Sequence, residues 1–187
     1  MRSDNLFAFA IFAITAFGFF VWGYQYIPTH HFLLFSIASI FGIFMAFNIG
    51  GNDVANSFGT SVGAKTVTIK QALVIAAIFE LSGAIFAGGE VTKTIREGIV
   101  SFPQEGTEPM LFVLIMMSAL LSSGIWLFIA SKKGLPISTT HSIVGGIVGA
   151  GLTMGFTTMG GDKALDMVSW GEIGRIAISW VISPLLG

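Results

Sequence analysis

The chain has 187 residues, of which 53% are hydrophobic and only 10% are charged, and its formal net charge at pH 7 is −1. Because soluble domains carry about 25% charged residues, this composition excludes an ordinary soluble globular protein. The near-neutral charge excludes a nucleic-acid-binding protein, and the lack of cysteine excludes disulfides, thiolate catalysis and cysteine-ligated metal sites.

Long apolar segments predict helices that cross a lipid bilayer, each of which needs roughly 20 apolar residues. The first segment is too long for the apolar part of a signal peptide and no small-residue cleavage site follows it, so we expect a retained helix. In chain order the segments are 5–27, 32–51, 72–89, 110–131, 135–161 and one that begins near 173. The sequence therefore predicts an all-α, polytopic membrane protein with about five to six transmembrane helices, some of them broken or re-entrant.

Basic residues predict the orientation of these helices, since cytoplasmic loops carry an excess of lysine and arginine. Five basic residues fall in loops on one side and two on the other: Arg2, Lys65, Lys70, Lys132 and Lys133 against Lys93 and Arg96. We therefore expect a multi-pass protein of the plasma (inner) membrane with its N-terminus in the cytoplasm.

A polar stretch interrupts the second apolar segment between residues 48 and 60. Asn52, Asn56 and Thr60 are spaced four residues apart, and Asp53 lies beside them, so on a helix they form one continuous polar stripe. Paired glycines, Gly50 and Gly51, precede the stripe, and we expect the helix to unwind there. The alternative is a polar loop at the membrane surface in which asparagine side chains cap a helix.

The third segment contains a carboxylate, Glu80, near its middle. A charged side chain at the bilayer centre costs about 2.5–3.5 kcal/mol on insertion scales, and such residues usually face a cavity or a partner. We expect a functional role for Glu80. The alternatives are a protonated, hydrogen-bonded glutamic acid or a position at the membrane interface.

Another break is predicted at Pro136, which cannot continue a preceding helix. The hydroxyls of Ser138, Thr139 and Thr140 follow it, so we expect a new helix to begin near Ser138, with free N–H groups that attract an anion. The alternative is an ordinary capped helix after a short loop. His141 is more often a structural histidine than a proton carrier in such a position. Glycines four residues apart predict close helix packing: Gly145, Gly149, Gly151 and Gly155.

Together, these segments combine groups suited to an anion with carboxylates and amides suited to a small cation. Moving one elementary charge through 100 mV costs about 2.3 kcal/mol, so anion uptake into a negative cell requires co-transported cations. The residues themselves therefore predict a cation-coupled anion transporter.

At this point the sequence resembles the PiT-type inorganic phosphate transporters, a family that includes sodium–phosphate symporters. The resemblance is carried, in the family's order, by GNDVANSFGTSVG at 51–63, IFE at 78–80, PISTTH at 136–141 and SWVISPLL at 179–186. It implies a fold of two inverted repeats, each of which supplies one motif of each kind to a site at the membrane midplane.

The resemblance also implies residue roles. Phosphate would be approached by Asp53, Asn56, Ser138, Thr139 and Thr140, and the cation by Asn52, Asp53 and Glu80. Members that resemble the sodium-coupled branch of the family have an acidic residue at the position of Glu80. This resemblance favours Na⁺ over H⁺ as the coupling ion. No other cofactor is implied.

We expect an extra N-terminal transmembrane helix at 1–30 and the first transporter repeat at 31–187, with its last helix truncated. The partner would be the missing second repeat or another copy of the chain. Three alternatives remain open within transport: sulfate or another oxyanion as substrate, proton-coupled phosphate transport, and a non-transporting half-subunit. An embedded hydrolase that uses Asp53 and His141 lacks the usual nucleophile–base or metal-ligand spacing, so we expect no enzyme.

Overall fold

A computed structural model describes residues 3–100, 109–158 and 160–186, and these residues form a bundle of helices. The principal helices are α1 Ser3–Tyr24, α2 Phe32–Gly63, α3 Ile69–Lys93, α4 Pro109–Lys132 and α5 Thr139–Thr158, followed by a short α6 Gly161–Ala164 and by α7 Trp170–Leu186. An isolated antiparallel bridge joins Val100 to Val168. Arg2, on which part of the predicted charge asymmetry depends, lies outside the described residues.

Four of the described helices are long and apolar enough to cross a membrane: Leu6–Tyr24, Thr29–Gly63, Ile69–Lys93 and Pro109–Lys132. They coincide with the first four predicted segments. The other two predicted segments correspond to α5, which is rich in glycine and threonine, and to α7, which has 17 residues. The all-α, polytopic architecture is therefore confirmed.

Local sequence signals explain where the helices start and stop. Thr68 accepts a hydrogen bond from the backbone N–H of Gln71, and the Gln71 side chain accepts one from the Thr68 N–H, so a capping box opens α3. At the end of α4, Gly134 adopts a left-handed conformation with φ of 67°, which suits a residue without a Cβ. The N–H of Leu135 then donates to the carbonyl of Ala130 at 2.9 Å.

The core lies where α4 and α5 pack against each other and against the segments around Val100 and Met167. Its buried side chains are Ile99, Val100, Ile115, Ala119, Val144, Ile147 and Met167. Glycine allows the close approach, because a Cβ built on Gly146 would lie 2.6 Å from the Ser123 Oγ and one on Gly155 would lie 2.8 Å from the Ala164 Cα. This packing fixes the start of α5 against α4.

The helix-packing prediction is only partly correct. A Cβ on Gly151 or Gly155 would contact neighbouring residues at about van der Waals distance or less, but one on Gly145 or Gly149 would meet no atom of the described residues within 4 Å. Gly145 and Gly149 instead line an open groove of about 490 Å³ beside Ser118 and Ser122. The predicted close packing at Gly145 and Gly149 has no counterpart among the described residues, where Gly146 is the glycine that closely approaches α4.

Candidate functional site

The polar stripe of α2 remains helical, so the predicted break at Gly50 and Gly51 is wrong. The helix runs without interruption from Phe32 to Gly63. Each glycine lowers helix propensity by about 1 kcal/mol, but helical hydrogen bonds still satisfy the backbone in an apolar medium, whereas unwound backbone needs other partners. The stripe is therefore presented by a rigid helix.

The second predicted break, at Pro136, is confirmed. Residues 135–138 are not helical, and α5 begins at Thr139. The Ser138 Oγ accepts a hydrogen bond from the backbone N–H of His141 at 3.3 Å, as expected for the residue before a helix. The connection between α4 and α5 is therefore a short extended segment followed by an exposed helix N-terminus.

Asp53 of α2 joins the start of α5 directly. The Thr139 hydroxyl lies 2.5 Å from the Asp53 Oδ1 and 2.6 Å from its Oδ2, and it donates to this carboxylate. A hydroxyl has one proton to donate, so the two carboxylate oxygens share it. This hydrogen bond joins the polar stripe of α2 to the first residue of α5.

Two asparagines of the stripe bind the extended segment. The buried Asn52 donates through Nδ2 to the Ser131 Oγ at 3.3 Å and approaches the Leu135 carbonyl at 3.5 Å. One turn further, the Asn56 Nδ2 donates to the Asn52 Oδ1 at 2.8 Å and to the Ile137 carbonyl at 3.1 Å. The asparagine amides thus donate hydrogen bonds to carbonyls that have no helical partner at the break.

We call Asn52, Asp53, Asn56 and Thr139 the amide–carboxylate cluster. The structure brings these four predicted site residues together. Ser138 and Thr140 lie beside the cluster with exposed side chains, and that of Thr140 makes no hydrogen bond to the described part of the chain. Ser138 also lines a cavity of about 410 Å³ together with Trp126, Ile137, His141 and Ser142.

Glu80 occupies a separate position. It is exposed and lines a groove of about 650 Å³ between α2 and α3, which we call the Glu80 groove and define by Ser57, Phe58, Glu80, Gly83, Ala84 and Gly88. Asn52 and Asp53 do not line this groove. The three predicted cation ligands therefore divide between the cluster and the groove in the described chain, although Ser57 follows Asp53 by one helical turn.

Sequence reasoning missed the partners that α4 and the extended segment provide. Ser131 and the carbonyls of Leu135 and Ile137 receive the asparagine amides, and the Ser123 hydroxyl donates to the Ser142 carbonyl at 2.8 Å. The sequence feature that could have indicated these partners is the break itself, because carbonyls before Pro136 lose their intrahelical donors. No local sequence pattern indicates which helix supplies the replacement donors.

Known proteins match the segment of the chain that contains the amide–carboxylate cluster. The model of PHO4, the phosphate transporter family, matches residues 49–187. The chain is 58% identical over 151 residues to a Mycobacterium tuberculosis protein and 49% identical over 151 residues to one from Haemophilus influenzae, each named "Putative phosphate permease". These alignments cover 81% and 80% of the chain but only 27% and 34% of the respective relatives.

A solved structure described as "The sodium-dependent phosphate transporter" is similar in fold as well. It matches with a TM-score of 0.68 and 43% sequence identity, over 80% of this chain and 35% of the solved one. The chain thus spans about a quarter to a third of the length of the curated relatives it matches. Because the family model matches most of the chain, including the whole amide–carboxylate cluster, the chain belongs to the phosphate transporter family.

Proposed function

We propose that the protein transports inorganic phosphate across the membrane in symport with Na⁺. The observation that carries this proposal is the hydrogen bonding between Asp53 and Thr139, because it places a carboxylate at the N-terminus of a helix in the second motif. Backbone N–H groups and hydroxyls at that terminus favour an anion, and broken helices bind anionic substrates in this way in several transporter folds.

In the proposed site, phosphate binds near the N-terminus of α5 and is contacted by Ser138, Thr139 and Thr140, with Asp53 and Asn56 on the facing side. Phosphate that still carries a proton can donate a hydrogen bond to Asp53, while the exposed hydroxyls donate to its oxygens. Sulfate, fully deprotonated, lacks this donor. We therefore expect phosphate to outcompete sulfate at the same site.

Charge supports the coupling to a cation. Asp53 lies where an anion is to bind, so a cation between the two would offset their repulsion, and carboxylate and amide oxygens are suitable ligands for a hard cation. Each elementary charge moved through 100 mV costs about 2.3 kcal/mol, so uptake of an anion into a negative cell requires a co-transported cation. We assign Asn52, Asp53 and Glu80 as candidate Na⁺ ligands, and the name of the solved relative supports Na⁺ over H⁺.

The proposed setting is a multi-pass protein of the plasma membrane with a cytoplasmic N-terminus. Lys65 and Lys70 flank the connection between α2 and α3, and Lys132 and Lys133 lie at the end of α4. Both connections lie on the same side of alternating spans, and the positive-inside rule makes that side cytoplasmic. Since the chain spans about a third of its relatives, the complete transporter includes a second part, either a further repeat or another copy.

The test is radiolabelled phosphate uptake into proteoliposomes with and without an inward Na⁺ gradient. Two proteins are compared: the 187-residue chain alone, and a chimera in which the chain replaces the matching segment of the M. tuberculosis relative. We expect Na⁺-driven uptake by the chimera, reduced by excess phosphate more than by excess sulfate. A correctly inserted chimera whose uptake ignores the Na⁺ gradient would contradict the coupling, and uptake of sulfate that excess phosphate leaves unchanged would contradict the substrate.

A further inference from the structure

The Glu80 groove places a carboxylate on the outside of a helix that is long and apolar enough to span the membrane. Glu80 is the twelfth residue of the 25 in α3, near its middle. Its side chain is exposed and forms no hydrogen bond or ion pair with the described residues. A carboxylate that faced lipid at this depth would be costly, so we expect this face of α3 to contact something polar in the membrane.

The small residues along the groove would allow a second helix to pack into it. Ala76, Glu80, Ala84 and Gly88 follow one another at four-residue intervals and therefore form one row along α3. A Cβ built on Gly83 or Gly88 would meet no atom of the described residues within 4 Å. Small residues in such a row let a second helix approach closely in a membrane, where packing and interhelical hydrogen bonds drive association.

The row of small residues is flanked within the groove by the bulky Ile75, Phe79 and Val91, and α3 carries further bulky apolar side chains outside it. Ile85 and Phe86, which do not line the groove, are 77% and 89% exposed. Bulky apolar side chains of this kind suit lipid contact, whereas the Glu80 carboxylate does not. The carboxylate therefore distinguishes the groove from the neighbouring helix surface as a place for a protein partner.

The length of the relatives indicates where that partner comes from. This chain covers only 27–35% of the relatives that it matches. We propose that the Glu80 groove seats a membrane-spanning helix from the part of the full-length protein outside the matched segment, and that this helix presents hydroxyl or amide side chains to Glu80. Such groups donate hydrogen bonds to the carboxylate when no cation is present and supply further oxygen ligands when one is bound.

This proposal deepens the proposed function, because Glu80 is one of the candidate Na⁺ ligands, but helix docking does not depend on transport. The chain has no cysteine, so one introduced cysteine carries one spin label. Ala84→Cys places the label in the groove, and Ile85→Cys places a matched label on the next residue, about 100° further round the helix and outside the groove. The measurement is the collision rate of each label with dissolved oxygen, by electron paramagnetic resonance in proteoliposomes.

Two proteins are compared, the 187-residue chain alone and the chimera with the remainder of the M. tuberculosis relative, from which native cysteines are removed. We expect the label at position 85 to collide with oxygen in both. The label at position 84 collides with oxygen in the chain alone and loses these collisions in the chimera. Persistent collisions at position 84 in the chimera would overturn the proposal. The label at position 84 could also lack oxygen collisions in the chain alone and regain them when the protein is diluted in lipid. That result would assign the groove to a second copy of the chain and overturn the proposed occupant.

A pair of adjacent glycines gives a second test. Gly88 lines the groove and Gly89 does not, and a Cβ on either would meet no atom within 4 Å in the described part of the chain. In the chimera, we expect Gly88→Leu to fill the seat and restore oxygen collisions at position 84, while Gly89→Leu leaves them lost. Equal spectra for the two variants would contradict the proposal. Because this readout needs neither phosphate nor Na⁺, a chimera that protects position 84 but shows no uptake would overturn only the transport function.

Discussion

The imidazole of His141 stacks on the indole of Trp180, with ring centroids 3.6 Å apart and ring planes 28° from parallel. His141 lies in the first turn of α5, and Trp180 lies in the second half of α7. Trp180 also packs against the hydrophobic core, together with Ile173 and Ile176. The stack therefore links the start of α5, where phosphate is proposed to bind, to the last helix of the chain.

Replacement of Trp180 is expected to loosen this link. Aromatic pairs contribute about 0.5–1.5 kcal/mol beyond the area they bury, so Trp180→Ala removes that term and leaves a cavity, whereas Trp180→Phe keeps most of the stack. We expect faster amide hydrogen exchange in the first turn of α5 and in α7 for Trp180→Ala than for Trp180→Phe. Equal protection in both variants would mean that the stack does not hold the two helices together.

Thr139→Val is expected to destabilise the amide–carboxylate cluster. The change keeps the shape of the side chain but removes the hydroxyl that donates to Asp53. Hydrogen bonds to charged groups contribute about 1.5–3 kcal/mol, so the melting temperature in detergent should fall, and Thr139→Ser should retain most of the stability. Thr140→Val is the matched control, since the Thr140 side chain has no hydrogen bond to lose among the described residues. Equal melting temperatures for the two valine variants would contradict the assigned role of the Thr139 hydroxyl.

Gly146→Ala and Gly145→Ala test the contact between α4 and α5. A Cβ on Gly146 would lie 2.6 Å from the Ser123 Oγ and 3.2 Å from the Ala119 carbonyl oxygen, whereas one on Gly145 would meet no atom within 4 Å. Overpacking costs about 1–3 kcal/mol, while alanine is up to about 1 kcal/mol better than glycine within a helix. We expect Gly146→Ala to lower the melting temperature and Gly145→Ala to leave it unchanged or raise it slightly. The opposite order would show that α5 is rotated from the described position.

Glu80→Gln tests the cation role of the carboxylate. The change removes the negative charge but keeps the size of the side chain, so we expect the chimera to insert normally and to lose Na⁺ stimulation of phosphate uptake. Glu90→Gln, at an exposed position near the end of α3, is the matched control. Na⁺ dependence that survives Glu80→Gln would leave Glu80 with a structural role in helix docking and none in coupling.

Much of the architecture could be predicted because charge and proline act locally. Gaps between charged residues located the four apolar helices, and Pro136 with Ser138 located the break and the start of α5 within one residue. Gly50 and Gly51 misled because a glycine pair only weakens a helix, and whether it unwinds depends on the partners its backbone would find. In α2 the helical backbone supplies those partners itself.

The arrangement of the site was less predictable, because it depends on how whole helices are rotated about their axes. The spacing of Asn52 and Asn56 predicted a stripe, but not that Leu135 and Ile137 would receive its amides. Glycine spacing alone did not distinguish Gly145, which faces open space, from Gly146, which contacts α4. Likewise, no sequence pattern indicated that Glu80 faces a groove separate from Asp53, since that depends on the rotation of α3 against α2.

The way α2 binds the extended segment also determines how this region can move. Asn52, Asp53 and Asn56 all bond to residues between 131 and 139. One residue of α-helix corresponds to about 100° of rotation, so a turn of α2 by that amount would carry all three side chains away from their partners at once. Intermediate rotations would leave the buried Asn52 amide unpaired, which is costly, whereas the exposed Asn56 amide can bond to water. The three hydrogen bonds therefore favour movement of α2 together with the α4–α5 connection over rotation of α2 alone.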